Sequence, residues 1–237
     1  MANAGVVYDR RYAGRVLAFE PSGGLLHAAL VMRDRPTDSW WSIISGDAIG
    51  GDLDGTPLKE IHRSEKVQWG EWKTRYPGTS VLSVNGHEHD PSNPYDRYYS
   101  SAQTFRGTRS PDERLRQKEP VYAFRIGDDP YAVPHSRIEG GAVFVLDDGT
   151  ELFLYRKPGA SFYSSTYAYV GASAKSESRF EKRDEIWVDR VTGQEFSSGS
   201  GFIVANEQSD KGLGQPDGYD TFWYMWSATH EAVKILD

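Results

Sequence analysis

The sequence writes one phrase twice. "DRPTDSWWSIISG", Asp34 to Gly46, and "DRVTGQEFSSGSG", Asp189 to Gly201, share Asp-Arg-x-Thr and a terminal Gly in register. A long-range repeat constrains a fold more than local propensity does, because two copies of a unit bring two copies of its packing. Each phrase ends an apolar run, "LVMRDR" in one case and "EIWVDR" in the other. At nearly equal distances downstream come matched W-x-x-W pairs, Trp69/Trp72 and Trp223/Trp226, and then Leu82 and Leu236. These landmarks divide one compact domain into a first copy over residues 6–84, a divergent middle over 85–140 and a second copy over 141–237.

Each landmark has local chemistry behind it. The Asp of a D-x-x-T turn accepts hydrogen bonds from backbone amides just ahead of it, and the Thr closes the same turn. Gly193 supplies a positive φ such a hairpin needs, and Asp38 takes that place in the first copy. Positions i and i+3 share a helix face, so the W-x-x-W pairs predict two short helices whose rings anchor the core. "RVLAFE", "GGAVFVL" and "ELFLYR" read as strands, with Asp147-Asp148-Gly149 as the turn between the last two. The middle is rich in Pro, Ser and charge, which predicts loop with a short helix over Asp112–Lys118. The expected class is mainly β with a few short helices, built of duplicated sheet, sandwich or barrel-like units.

Composition narrows the function. With 237 residues, 38% of them hydrophobic, the chain has enough apolar surface for a sizeable core. A net charge of −7 argues against nucleic acid and anionic membrane, which need clustered Lys and Arg. The absence of Cys removes disulfides, thiolate metal sites and a thiol nucleophile. No basic n-region with an apolar h-region opens the chain, and no apolar run is long enough to span a bilayer. The expectation is a soluble, cytoplasmic protein.

In order along the chain, several motifs resemble one family. "YAGRVLAF" is followed by "DRPTDSWWSIISGDAIGG", a D-x-x-T-x-S-x-W turn. Then come "WGEWKTRYPGT", Pro94-Tyr95-x-x-Tyr98, Lys118-Glu119, and Phe222-Trp223-x-x-Trp226. The series resembles the family catalogued as domain of unknown function 3179, over nearly the whole chain. Members of that family typically open with Cys-Pro-x-Cys, on whose sulfur atoms a redox or metal-binding role would lean. Here that stretch falls at or upstream of Met1, and no Cys is present. The second copy also shows Glu195-Phe196 where the first has Trp40-Trp41.

Candidate chemistry collects in the middle. His87 and His89 lie two apart, and with Asp90 or Asp96 they form a candidate set for a divalent metal; the alternative is a solvated polar loop. Lys118-Glu119, with Arg114 before them, fit either an oxyanion clamp and general base or a structural ion pair. Trp40 and Trp41 point to opposite faces of a strand, and the outward ring is the better ligand candidate. Because the middle breaks the repeat, it is the expected place for a site. Tyr95, Tyr98, Lys118 and Glu119 are expected to line a small-molecule pocket against the first copy near Trp40 or Trp41, with the His pair at its rim. Two functions follow: a redox or metal-assisted enzyme, or a non-catalytic ligand-binding or scaffold module with an aromatic-lined cleft. No G-x-S-x-G, P-loop or EF-hand pattern is present.

Overall fold

Short apolar and polar runs alternate along the chain between turn residues, and strands form accordingly. The computed structural model describes residues 3–61, 64–81, 95–161, 164–172, 177–199 and 213–237. β1 (Tyr8–Asp9) is followed by the small hairpin of β2 (Arg11–Tyr12) and β3 (Arg15–Val16). β4 (Phe19–Leu26), β5 (Ala29–Asp34), β6 (Trp40–Ser42) and β7 (Ala48–Gly50) make an antiparallel meander. β8 (Lys59–Glu60) returns to pair with β1, closing an N-terminal ribbon. Two short helices follow, α1 (Trp69–Arg75) and α2 (Asp96–Ser100).

The central sheet comes next. β9 (Pro120–Ile126) and β10 (Asp129–Pro134) form its hairpin. β11 (Ala142–Val145), β12 (Thr150–Tyr155) and β13 (Tyr167–Ala172) make a second antiparallel sheet. A third holds β14 (Phe180–Arg183), β15 (Ile186–Asp189) and β16 (Gln194–Glu195). β17 (Asp217–Phe222) then pairs with β9 and runs directly into α3 (Trp223–Thr229), and β18 (Lys234–Ile235) lies parallel to β10. The central order is β17-β9-β10-β18. The protein is mostly β, and its sheets stay separate; among the described residues none closes into a barrel.

Alternation along β9 and β10 gives the central sheet two buried faces. Tyr122, Phe124, Tyr131 and Val133 face Leu152 and Leu154 of the second sheet. Val121, Ala123 and Ala132 face α3 and, beyond it, Ala28, Ala29 and Ile44 of the meander. β12 is buried on both sides, since Phe153 points the other way into the third sheet. The meander keeps its own small core around Leu17, Trp41, Ala48 and Leu58.

The two D-x-x-T turns close alike. Thr37 N–H donates to Asp34 Oδ1 at 2.9 Å and its hydroxyl to Oδ2 at 2.7 Å. Val191 N–H donates to Asp189 Oδ1 at 3.0 Å, and the Thr192 hydroxyl to Oδ2 at 2.7 Å. Asp38 (φ 51°) and Gly193 (φ 74°) occupy the left-handed position. A Phe stands opposite each Asp, Phe19 and Phe180. One partner differs. Asp34 is also held by Trp41 Nε1 at 2.8 Å, whereas Asp189 is gripped by Arg179 through Nε and Nη2, both at 2.9 Å. The guanidinium of Arg179, the residue just ahead of β14, thus does the work of the Trp that the second turn lacks.

Both W-x-x-W pairs are helical, but only one is core. Trp223 and Trp226 are buried, as is every α3 residue from Trp223 to Ser227. α1 has no buried residue: Trp69 is exposed and Trp72 half-buried, its Nε1 bonded to Thr79 Oγ1 at 3.0 Å. The expectation that Trp69 and Trp72 anchor a core is therefore corrected. Glu71, Lys73 and Arg75 give α1 a charged surface, and α3 has no charge to keep in water. The helix expected over Asp112–Lys118 is also absent. Gln117 reaches back to Ser110, accepting its N–H at 2.8 Å and donating to its carbonyl at 3.2 Å, and this closes a loop instead. No helix among the described residues is long and apolar enough to cross a membrane.

Candidate functional site

The middle segment docks on one end of the central sheet. Phe222 and Pro120, register partners in β17 and β9, form that end. Backbone bonds from Trp223 N–H to Glu119 O (2.9 Å) and from Tyr224 N–H to Gln117 O (2.8 Å) tie the approach to β9 against the start of α3. α2 lies across this junction, with the Tyr98 and Tyr224 hydroxyls 3.1 Å apart. Burial, then this hydrogen bond, raises the Tyr98 phenol above its ordinary range.

An open cleft of about 610 Å³ lies between the two parts. Tyr99, Ser100, Ser101 and Ala102 form one wall. Arg109, Glu113, Leu115, Arg116, Gln117 and Lys118 form the other, with Pro120 and Phe222 at the sheet end. Among the described residues, three cations against one carboxylate make the lining net positive within an acidic chain. Lys118 donates to Ser101 O at 2.7 Å and to Tyr98 O, capping the end of α2. Its ammonium sits 4.0 Å from the Tyr98 ring centre and 5.2 Å from that of Phe222, and burial lowers its pKa. Arg116 pairs with Glu119 at 2.7 Å. Arg109 makes no hydrogen bond or ion pair among the described residues and projects into solvent.

The other expected site residues lie elsewhere. Tyr95 caps α2, exposed and edge-on to Tyr99. Arg114 turns away from the cleft onto Asp112 (2.6 Å), Val233 O (2.8 Å) and the face of Trp223. Trp41 is fully buried against Phe19 with its indole N–H on Asp34. Trp40 does point outward, but on the solvent face of the meander, paired in register with Arg33. Neither ring lines the cleft, which opens against the end of the central sheet and not against the meander. His87 and His89 lie outside the described residues. Among the described residues no group of three or more His, Asp or Glu is placed to hold a metal.

Sequence reasoning does not reach Arg109, Tyr99 or Phe222 as lining residues; Phe222 enters it only as part of the Phe222-Trp223-x-x-Trp226 motif. It also missed a second polar centre, where three strand ends meet. Asp220 of β17, buried, receives Thr166 N–H at 2.8 Å, the Thr166 hydroxyl at 2.6 Å and His135 Nε2 at 2.8 Å. Arg156 Nη1 lies 3.5 Å away and also donates to Ser164 O, while Nη2 donates to Ser161 O. Burial opposes ionisation of Asp220, yet the His135 bond and the charges of His135, Lys66 and Arg156 hold its pKa well below the usual carboxylate range. Both carboxylate oxygens are occupied, so the centre acts as a structural clasp.

The family described as "Protein of unknown function (DUF3179)" matches residues 1–233. No curated protein and no solved structure matches the chain.

Proposed function

Because the chain belongs to the DUF3179 family of unknown function over nearly its full length, membership brings no activity with it, and we propose a non-catalytic binding module whose cleft takes a small organic anion with a flat apolar body. One observation carries this reading: among the described residues the lining is net positive beside the partly exposed ring of Tyr99, in a chain of net charge −7. Arg109 offers a planar fork suited to carboxylate or phosphate, and the partly exposed Tyr99 ring, backed by buried Phe222, offers a surface for stacking. The hydroxyls in the wall are poorly set for chemistry. Ser100 Oγ donates to Asp96 O at 2.8 Å and Ser101 Oγ to Tyr98 O at 3.1 Å, and among the described residues no His lines the cleft to activate them.

Calorimetric titration with benzoate, phenyl phosphate and neutral benzyl alcohol tests the reading. The two anions should bind at least about tenfold more tightly than the alcohol. Arg109→Gln should weaken them by about tenfold, the scale of one charge-assisted hydrogen bond. Equal binding of all three, or anion binding indifferent to Arg109→Gln, overturns it.

A further inference from the structure

The N-terminal ribbon is fastened to the rest of the protein at one crowded junction. Tyr8 of β1 stands opposite Glu60 of β8, so their side chains share a face. Past the end of β8, Ile61 N–H donates to Val7 O at 2.8 Å. Tyr8 reaches the turn between β6 and β7, donating to Ile43 O at 3.0 Å, and its ring lies so close to Gly46 that a Cβ there would come within 2.6 Å of it. Tyr219 of β17 grips the same turn, donating to Ile44 O at 3.1 Å. Glu60 accepts the N–H of Gly218 in β17. Gly218 is itself a tight place, since a Cβ on it would meet Phe124 Cβ at 2.5 Å and the Tyr122 hydroxyl at 2.8 Å.

The groups around Glu60 leave its charge poorly balanced. From β17 it faces Asp217, and from β9 Arg125. The phenols of Tyr8, Tyr122 and Tyr219 feel its charge, and Asp47 adds a further carboxylate near Tyr8. An ionised Glu60 would therefore share one guanidinium with Asp217, half-buried, with neutral phenols for company.

We propose that Glu60 is a proton-operated latch, holding the N-terminal ribbon on the central sheet when protonated and loosening it when ionised. Burial and then the Asp217 charge raise its pKa from 4.5 to about 7, against the opposing Gly218 N–H and Arg125. The closed ribbon thus keeps a proton that an open, solvated ribbon releases between those two values. Closure is strongest at low pH, weakens as pH rises through that window, and is level above it. Opening matters beyond the ribbon itself. Further along the sequence from β8, the Lys66 ammonium donates to Asn3 O at 2.6 Å and to the backbone carbonyl of Asp220 at 3.3 Å. A loosened ribbon releases the join between the N-terminal segment and β17.

Amide hydrogen exchange of the full chain, corrected for intrinsic rates, tests the latch at Ile61 N–H. Its protection should fall on the order of 50-fold between pH 5 and pH 8. In Glu60→Gln it should stay constant within about twofold, while Ala123 and Ala132 in the central sheet hold steady in both proteins. Asp217→Asn, which removes the neighbouring carboxylate, should move the midpoint of the fall to lower pH. A flat profile in the parent protein, the same fall in Glu60→Gln, or a midpoint indifferent to Asp217→Asn each overturns the proposal.

Discussion

Asp220→Asn should be among the most damaging single-atom changes in this protein. The side chain is 2% exposed and keeps four donor contacts, from His135, Arg156 and twice from Thr166. Asn keeps the shape but loses the charge, and its NH2 must face one of these donors. Among the described residues Arg156, 3% exposed, then keeps only the carbonyls of Ser161 and Ser164 in the interior. Removing one partner of a buried charge pair costs about 3–5 kcal/mol. Urea unfolding followed by Trp fluorescence measures it, because Trp223 and Trp226 are buried reporters. The midpoint should fall with an unchanged slope. The carboxylate's folded pKa is depressed, so its contribution is present above the ordinary Asp range and disappears as pH falls through the folded value. The gap between parent and variant should accordingly narrow below about pH 4. A cost under about 1 kcal/mol at neutral pH, or a gap that does not narrow in acid, refutes the clasp.

The two W-x-x-W helices should respond unequally: Trp226→Ala should cost about 3–5 kcal/mol and Trp72→Ala about 1 kcal/mol or less in the same unfolding assay. The two turn aspartates should also part company. Asp34→Ala leaves the Trp41 indole N–H buried without an acceptor and should cost about 1–3 kcal/mol. Asp189→Ala takes away the carboxylate that buried Arg179 grips through Nε and Nη2 and should cost about 3–5 kcal/mol. Equal losses at Asp34 and Asp189 would mean that the different partners do not matter.

Local chemistry was the legible part of this sequence. The D-x-x-T turns, the positive φ at Asp38 and Gly193, the Asp147-Asp148-Gly149 hairpin between β11 and β12, and the helicity of both W-x-x-W stretches follow from near-neighbour rules. Burial was less legible. Matched Trp pairs invited the same packing role for both, yet Glu71, Lys73 and Arg75 in α1 were already a sign of exposure that α3 lacks. The two D-x-x-T hairpins are alike, down to a Phe opposite each Asp, while the helices that follow differ in burial. The site was legible only as a region. Lys118 lines the cleft, but its wall and floor depend on Phe222, a residue more than a hundred positions away that β17 brings beside Pro120. The Asp220 clasp was equally hidden, because His135, Arg156, Thr166 and Asp220 meet only where strand ends converge.

The central claim is that the cleft beside α2 binds a small organic anion. Backbone amide shift mapping during titration with phenyl phosphate tests it most directly. The account predicts saturable shifts clustered at Ser100, Ser101, Gln117 and Lys118, with the indole N–H signals of Trp40 and Trp41 unmoved. Shifts centred on Trp40 and the meander, or no saturable shifts at the cleft, would contradict it.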